Sequence, residues 1–233
     1  MPTADDKEIF EEQIAYYQAR AGEYDNWLLR KGSYDHGPES NEKFFSEVNE
    51  VREQIRRFNP TGNVLEFACG TGWGTELLVE YADHVTAVDS SEEVLALNRI
   101  KVRSDKVHYA QSDIFQWQTK KTFDVIFFSF WLSHVPPGRF TEFWDKVQSA
   151  LKPGGRVIFA DSLASRSLAA KNHSLFQKDE CISLRYLDDG REFQIIKIFY
   201  EPEELSARLS EIGWHVSVKR TETHFLYGIG EMS

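Results

Sequence analysis

The chain has 233 residues, 41% of them hydrophobic and 27% charged, a composition typical of a globular protein with one buried core. Its net charge of −10 disfavours nucleic acid as a partner, because proteins that hold a phosphate backbone usually present a basic face. The sequence shows neither a long apolar run nor a signal-peptide pattern, and two cysteines provide no disulfide framework. We therefore expect a cytoplasmic protein without a membrane span; its oligomeric state stays open.

Two helices are predicted before the first strand. The first covers residues 5 to about 20, and the second runs from Glu39 to about Phe58. The second carries an apolar stripe at helical spacing, formed by Phe44, Val48, Val51 and Ile55. The segment 59–62 (Asn-Pro-Thr-Gly) ends this helical region before the first strand.

The most informative segment is 63–75, where a short buried-strand pattern leads into a glycine-rich turn and then a helix. Gly70, Gly72 and Gly74 permit positive φ angles and a close approach of a ligand to the main chain. This order predicts the nucleotide-binding corner of an α/β fold. The G-x-G-x-G spacing departs from the dinucleotide pattern, and Glu66 on the strand would repel a pyrophosphate. Both features favour a ligand with an ammonium or sulfonium group, such as S-adenosylmethionine, over NAD.

The next two strands end in acidic residues. His84–Asp89 is a second buried strand, and Asp89 follows the glycines at the distance where such folds place a carboxylate on ribose hydroxyls. Val107–Ala110 is the third strand. Asp113, shortly after it, can accept a hydrogen bond from an adenine amino group while Ile114 packs on the ring.

The remaining core elements alternate between helix and strand. Phe123–Phe128 and Arg156–Ala160 are predicted as the fourth and fifth strands, with a turn at Leu151–Gly155 before the fifth. Helices are predicted near 73–81, 91–101 and 139–150.

The pattern changes after the fifth strand. Ser162 to about Asp179 is polar and predicted as helical or irregular. The segments Ile182–Leu187 and Glu192–Tyr200 flank Asp-Asp-Gly and predict a β-hairpin. A last helix and two strands are predicted at Pro202–Ile212, Trp214–Arg220 and His224–Ile229.

Together these elements predict one α/β domain. Its centre is a seven-stranded, mostly parallel Rossmann-like sheet with helices on both faces and an antiparallel final strand. Residues 1–59 form an N-terminal helical lid, 60–160 the cofactor-binding core, and 161–233 a β-hairpin insert and the C-terminal strands. Ligands bind such sheets beyond the carboxyl ends of the strands, so the lid and the insert should form the pocket walls.

The motifs, taken in order, resemble the class I S-adenosylmethionine-dependent methyltransferase family. They are Glu66–Gly72, Asp89, Ser112-Asp113 and Leu151–Gly155, and the resemblance covers roughly residues 60 to 160. It implies S-adenosylmethionine as the cofactor and methyl transfer as the activity. The core residues implied to bind the cofactor are Glu66, Ala68, Gly70, Gly72, Asp89, Ser90, Asp113, Ile114 and Ser129.

The N-terminal lid adds further candidates. In small-molecule members of this family a tyrosine and an arginine close over the cofactor and meet its carboxylate, and Tyr17 and Arg20 are the comparable pair. The alternative is that these aromatic residues only pack the lid onto the core and that Arg20 is solvated. Tyr16 and Tyr24 are candidates for the substrate pocket.

The loop after the fourth strand faces the cofactor's methyl group in this family. Trp131 is a candidate for the substrate pocket there, and His134 is a candidate general base. A structural role for His134, or contact with the cofactor alone, is the alternative. His173 is a secondary pocket candidate. No metal is expected, because no ligand cluster with recognisable spacing occurs; Asp161 at the fifth strand's end is expected to cap a loop.

The sequence thus predicts methyl transfer to an oxygen or nitrogen of a small aromatic or apolar molecule. The aromatic content of 14% motivates the apolar acceptor. Two alternatives stay open: carbon methylation of a quinone precursor, and a cofactor-binding protein without catalysis. RNA modification is disfavoured by the charge.

Overall fold

The computed structural model describes residues 4–171, 173 and 181–232. Helices α1 (Ala4–Ala19) and α2 (Pro38–Phe58) precede the first strand, and two 3-10 turns, Ala21–Asn26 and Gly32–Tyr34, lie between them. The apolar stripe predicted on α2 is confirmed, because its members are all buried in the core: Phe44, Val48, Val51 and Ile55.

The main sheet has seven strands in the order β3-β2-β1-β4-β5-β9-β8. Its strands are β1 (Asn63–Phe67), β2 (His84–Asp89), β3 (Val107–Gln111), β4 (Phe123–Ser129), β5 (Leu151–Ser162), β8 (Trp214–Arg220) and β9 (Phe225–Met232). Strands β1 to β5 are parallel, and β9 runs antiparallel to both β5 and β8. The predicted sheet and its antiparallel final strand are confirmed. The strand order reverses between β1 and β4, which places the expected ligand crevice beyond their carboxyl ends.

Helices cover both faces of this sheet because side chains alternate along each strand. Val64 and Phe127 pack in one layer with α2, α3 (Trp73–Tyr81) and α4 (Glu92–Val102). Their neighbours Leu65 and Phe128 pack in the other layer with α5 (Phe140–Ala150) and α6 (Pro202–Glu211). The three-layer α/β architecture follows directly.

Strand β5 begins earlier than predicted. Phe123 pairs with Leu151 and Val125 pairs with Arg156, so the register shifts between the two pairs. A bulge of this kind accommodates extra residues in one strand without ending the ladder. The segment predicted as a turn before the fifth strand is therefore the bulged start of β5.

The insert after β5 contains the predicted hairpin. Strands β6 (Ile182–Tyr186) and β7 (Glu192–Ile196) form an antiparallel two-stranded sheet of their own. The second strand ends four residues earlier than predicted, and Ile198 N then donates to Ser133 O at 2.8 Å. The start of the insert, 163–171, contains turns and irregular backbone; 172 and 174–180 of the predicted polar stretch lie outside the described residues.

Helix α1 packs against this hairpin. The main-chain nitrogen of Gln194 donates to Glu12 Oε1 at 2.7 Å, and that of Ile196 donates to Gln13 Oε1 at 3.0 Å. The side chains of α1 thus satisfy backbone donors at an edge of β7. As a result, the lid and the insert meet above the end of the main sheet.

Gly74 lies where α3 approaches the sheet most closely. An added Cβ there would collide with the Phe127 ring and approach Glu66 Oε1 to 2.5 Å. We expect Gly74→Ala to lower the free energy of unfolding by about 1–3 kcal/mol, because a packed core does not accept extra volume. Denaturant unfolding followed by circular dichroism measures this. Gly138→Ala is the control, since its Cβ would meet nothing within 4 Å; equal losses in both variants would contradict the packing argument.

Candidate functional site

Two adjoining cavities lie beyond the carboxyl ends of the parallel strands. The first, here called the acidic cavity, is lined by Asp89 and Asp113. The second, here called the basic cavity, is lined by Arg20, Arg185 and Lys197. Residues that line both cavities mark where the two meet, and they are Tyr17, Tyr24, Ala68, Ser129, Phe130 and His134.

The acidic cavity holds its two carboxylates through main-chain donors. Asp89, at the end of β2, accepts from Gly70 N at 3.0 Å and from Ser91 N at 3.1 Å. Burial raises the pKa of Asp89. Asp113, after β3, accepts from Phe115 N at 2.9 Å. Each carboxylate keeps lone pairs for a ligand. The rest of this lining includes Phe10, Gln13, Ile14, Ser90, Val94, Ile114 and Trp131.

Two residues that line both cavities have an unusual backbone conformation. Ala68, in the glycine loop, has a φ of +50°, and Phe130, just after β4, has a φ of +55°. A non-glycine residue in this region costs about 1–3 kcal/mol and persists where the surrounding structure imposes it, often at functional sites. The strain therefore lies where β1 and β4 end and the cavities join.

Glu66 and Gly72 support the glycine loop from the protein interior. The Glu66 side chain is 1% exposed, lines neither cavity and accepts from Thr75 Oγ1 at 2.6 Å. Burial raises the pKa of Glu66 to about 8, which favours the neutral carboxyl. Gly72 begins α3 with a φ of +98° and lies against Asn98. The structure does not support the expectation that a charged Glu66 faces the ligand.

The lid is fastened to the glycine loop by Asp25. Its carboxylate accepts from Thr71 Oγ1 and lies 3.4 Å from Lys101 Nζ on α4. Gly70 faces the Tyr24 hydroxyl, because a Cβ at Gly70 would lie 3.1 Å from that oxygen. The lid therefore closes directly over the turn that the sequence identifies as ligand-binding.

Arg20 lies within a group of aromatic rings in the basic cavity. Its guanidinium is 5.3 Å from the Tyr24 ring centroid and donates to the Tyr34 hydroxyl at 3.0 Å. Tyr16, expected in the substrate pocket, instead packs beneath the cavities against Leu187 and Ile195. The lid aromatics thus divide between lining a cavity and packing, both of which the sequence left open.

His134 is 6% exposed and uses both ring nitrogens within the protein. Nδ1 lies 2.6 Å from Ile196 O, and since a carbonyl only accepts, Nδ1 carries the proton. Nε2, 2.9 Å from the Tyr17 hydroxyl, then accepts from it. Burial, helped by the charge of Lys197, holds the pKa of His134 well below its usual range. This geometry favours the structural alternative for His134 over a general base.

The basic cavity contains cationic residues that sequence reasoning missed. Lys197 Nζ donates to Ser133 Oγ at 2.7 Å and Ser162 Oγ at 3.3 Å, and Arg185 Nη1 donates to Ser183 Oγ at 2.7 Å. Arg185 lies on the hairpin and Lys197 follows it, and charged residues at such positions are usually expected on the surface. His173, named as a secondary candidate, also lines this cavity. An apolar wall completes it, formed by Trp27, Leu28, Phe130, Leu168, Ile195 and Phe199.

Asp161 caps a loop in the way the sequence suggested. Its carboxylate accepts from Ser133 N at 2.8 Å and from Ser162 N at 2.7 Å. Within the described part of the chain, no three histidine, cysteine or acidic side chains come together as a metal site. In the same residues no helix has the length and apolarity to cross a bilayer.

Comparison with known proteins identifies the family. A family model described as "Methyltransferase domain" matches residues 64–155. The "Ubiquinone biosynthesis O-methyltransferase" of Xylella fastidiosa (strain 9a5c) is 31% identical over 190 residues, covering 78% of this chain and 72% of that protein. The "Demethylmenaquinone methyltransferase" of Clavibacter sepedonicus is 30% identical over 124 residues, or 52% of this chain and 50% of that one, so the chain spans half of this relative's length.

A solved structure extends the likeness to nearly the whole chain. The "DhpI-SAM-HEP complex" is 38% identical, has a TM-score of 0.79, and is covered over 97% of its length by 96% of this chain. The chain belongs to the class I S-adenosylmethionine-dependent methyltransferase family. The predicted family, enzyme class and cofactor are thereby confirmed.

Proposed function

We propose that the chain moves the methyl group of S-adenosylmethionine to an oxygen or nitrogen of a small molecule held in the basic cavity. The observation that carries this proposal is the junction of the two cavities at shared residues, among them Ser129 and Tyr17. A donor lying mainly in the acidic cavity would present its reactive end to an acceptor in the other.

The acidic cavity fits the adenosine part of the cofactor. Asp89 offers a fixed acceptor for ribose hydroxyls, Asp113 an acceptor for the adenine amino group, and Ile114 an apolar face for the ring. Ala68, Gly70, Ser90 and Ser129 complete this proposed cofactor site.

Tyr17 at the junction and Arg20 in the adjoining basic cavity would bind the methionine end of the cofactor. A guanidinium can form two parallel hydrogen bonds with a carboxylate. The contacts of Arg20 with the Tyr24 ring and the Tyr34 hydroxyl restrict its side-chain conformation. Trp131 closes the acidic cavity from the loop after β4. It is therefore proposed as a wall of the cofactor side of the site.

Catalysis by this chain rests on positioning. When bound, S-adenosylmethionine supplies an activated methyl group on sulfur, so no protein nucleophile is required. The lid, fastened through Asp25 and Thr71, excludes water and holds both ligands in contact. The rings of Tyr17 and Phe130 at the junction offer faces that attract positive charge. His134 acts as a positioning residue that fixes the Tyr17 hydroxyl.

Methylation of a quinone precursor is a second candidate. It is favoured by the names of the relatives from Xylella and Clavibacter, which place those proteins in quinone biosynthesis. The apolar wall of the basic cavity, with Trp27 and Phe199, could accept a ring. The cations that line the same cavity have no evident role with a neutral quinol.

The test combines binding with turnover. Isothermal titration calorimetry with S-adenosylhomocysteine measures the cofactor site, and cofactor labelled in its methyl group measures transfer to a panel of phenols, amines, quinols and small acids. Binding with labelled product supports the proposal. Binding of S-adenosylhomocysteine with no labelled product from any of these acceptor classes would support a cofactor-binding protein that has lost catalysis. Absence of binding would remove the proposal altogether.

Asp25→Ala is expected to open the lid. The variant loses a charged partner of Thr71 and Lys101, and hydrogen bonds to charged groups contribute about 1.5–3 kcal/mol. We expect S-adenosylhomocysteine to dissociate faster by a factor on the order of 10. Stopped-flow displacement measures this rate. Asp145→Ala, an exposed acid on α5, is the control; identical rates in the two variants would show that Asp25 does not fasten the lid.

A further inference from the structure

The basic cavity concentrates positive charge in a protein whose net charge is −10. Arg20, Arg185 and Lys197 all line it. Among the lining residues that the structure describes, Asp25 carries the one carboxylate, and it is engaged by Thr71 and by Lys101 at 3.4 Å. The cavity wall is therefore net positive.

These cations are held out of water at an electrostatic cost. Arg185 is 7% exposed and Lys197 is 8% exposed. Burial, together with the nearby charges of Arg185 and Arg20 and against the opposing effect of Asp161, lowers the pKa of Lys197 to about 8. Burial likewise lowers the pKa of Arg185. Like charges in such surroundings repel one another, and an anion bound between them would relieve that repulsion.

The carboxylate next to Lys197 balances the charge of only one of the three cations that line the basic cavity. Asp161 Oδ1 lies 3.7 Å from Lys197 Nζ, longer than a hydrogen bond, while both of its oxygens accept from the main chain. One negative charge thus stands beside Lys197, and Arg185 and Arg20 add two positive charges to the same cavity.

The cations divide by position into two groups. Arg20 follows α1 on the lid, beside Tyr24 and the glycine loop, which is the place proposed for the cofactor's carboxylate. Arg185 on β6 and Lys197 after β7 lie on the hairpin side, away from the acidic cavity, which neither of them lines. With the cofactor's carboxylate assigned to Arg20, the part of the basic cavity that Arg185 and Lys197 line corresponds to the proposed acceptor site.

We propose that the acceptor is a small acid whose oxyanion is bound by Arg185 and Lys197. This inference rests on the proposed function and specifies its substrate class: a carboxylate, phosphate or phosphonate group at one end, with an apolar part against the wall that contains Trp27 and Leu28. An arginine fork matches two oxyanion oxygens, while a lysine contributes a point charge. Ser162, which also lines the cavity, adds a hydroxyl.

The first test measures anion binding when the cofactor site is already filled. The protein is saturated with S-adenosylhomocysteine, and inorganic phosphate, methylphosphonate and acetate are titrated by calorimetry against potassium chloride at equal ionic strength. At least one oxyanion is expected to bind saturably. The strongest of the three identifies the kind of acid. If none binds beyond the chloride reference, the inference is overturned.

Variants assign that binding to the two residues. Arg185→Gln and Lys197→Gln are expected to weaken oxyanion binding by a factor on the order of 10 or more, because each removes a charged hydrogen-bond donor. Lys106→Gln is the matched control, since Lys106 Nζ donates to Val79 O and Ala82 O away from both cavities. Lys197→Arg keeps the charge and should retain most of the affinity. Equal affinity in the Gln variants and the control would overturn the assignment.

The cofactor measurement separates this inference from the proposed function. A Gln variant that binds S-adenosylhomocysteine as the wild type does is folded, and its oxyanion affinity can then be compared with that of the wild type. If Arg185→Gln does not fold, the comparison of Lys197→Gln with Lys197→Arg tests the inference. Wild-type protein that does not bind S-adenosylhomocysteine overturns the proposed function. Protein that binds it but transfers labelled methyl to methyl esters or amides as readily as to the parent acids overturns the acid inference alone.

The pH dependence of anion binding is a further readout. The groups around Lys197 are Asp161 from β5, His134 from the loop after β4, and the two arginines. The pKa of Lys197 is lowered to about 8, so it is charged below that pH and loses its charge above it. Oxyanion affinity is therefore expected to fall as the pH rises through about 8. An affinity that is unchanged up to pH 9.5 would show that Lys197 does not supply the charge.

Discussion

Replacing Asp89 with alanine is expected to weaken S-adenosylhomocysteine binding by about 100-fold or more, since two hydrogen bonds to a charged group contribute about 1.5–3 kcal/mol each. The wild-type carboxylate is held rigidly by Gly70 N and Ser91 N and so meets a ribose without further ordering. The variant loses the acceptor and also the tie between β2 and the glycine loop. Calorimetry measures the effect directly.

Two further variants make this result specific. Asp89→Asn keeps the size but replaces one acceptor oxygen with a donor amide, and it should bind nearly as weakly as Asp89→Ala. Glu93→Gln is the control, because its carboxylate is exposed and accepts from Ser91 Oγ at 2.8 Å outside the cavity. An Asp89 variant with the affinity of the control would remove Asp89 from the cofactor site.

His134→Ala is expected to lower the turnover number by about 100-fold, because small displacements of reacting groups have effects of this size. The substitution frees the Tyr17 hydroxyl at the junction and leaves Ile196 O without its donor. Cofactor affinity should fall much less, since Asp89 and Asp113 do not depend on this loop. Steady-state kinetics and calorimetry on the same variant measure the two quantities. His215→Ala, an exposed histidine on β8, is the control.

The pH profile distinguishes positioning from proton transfer. Burial and Lys197 hold the pKa of His134 well below its usual value, so the imidazole stays neutral across the neutral range. We therefore expect the pH profile of the wild-type rate to show no inflection near pH 6.5 between about pH 8 and pH 6. An inflection there that disappears in His134→Ala would restore His134 as a general base.

The cofactor half of the molecule could be predicted from sequence because its signals are local. Strand β1, the glycine turn and the start of α3 are contiguous, and Asp89 and Asp113 each directly follow a buried strand. Parallel strands bring such positions to one edge of the sheet, so chain order is sufficient to place them together.

The acceptor half depends on contacts that sequence spacing does not show. The two hydrogen-bond partners of the His134 imidazole are 62 and 117 residues away in the chain. Arg185 lies on β6 and Lys197 follows β7, each beside apolar residues, and that sequence pattern does not reveal that α1 packs against the hairpin or that both cations line a cavity. The ionisation of Glu66 is hidden from sequence reasoning for a related reason, because it depends on how deeply the side chain is buried in the fold.

The hairpin β6–β7 pairs only within itself, while the seven strands of the main sheet set their own register. On the proposed assignment, acceptor selectivity would come from the hairpin region and donor recognition from the main sheet, and the two are joined where Ile196 O meets His134 and Ile198 N meets Ser133. Hairpins with other side chains could be exchanged at this position to obtain enzymes for new compounds, provided that the main-chain contacts of Ile196 and Ile198 are kept.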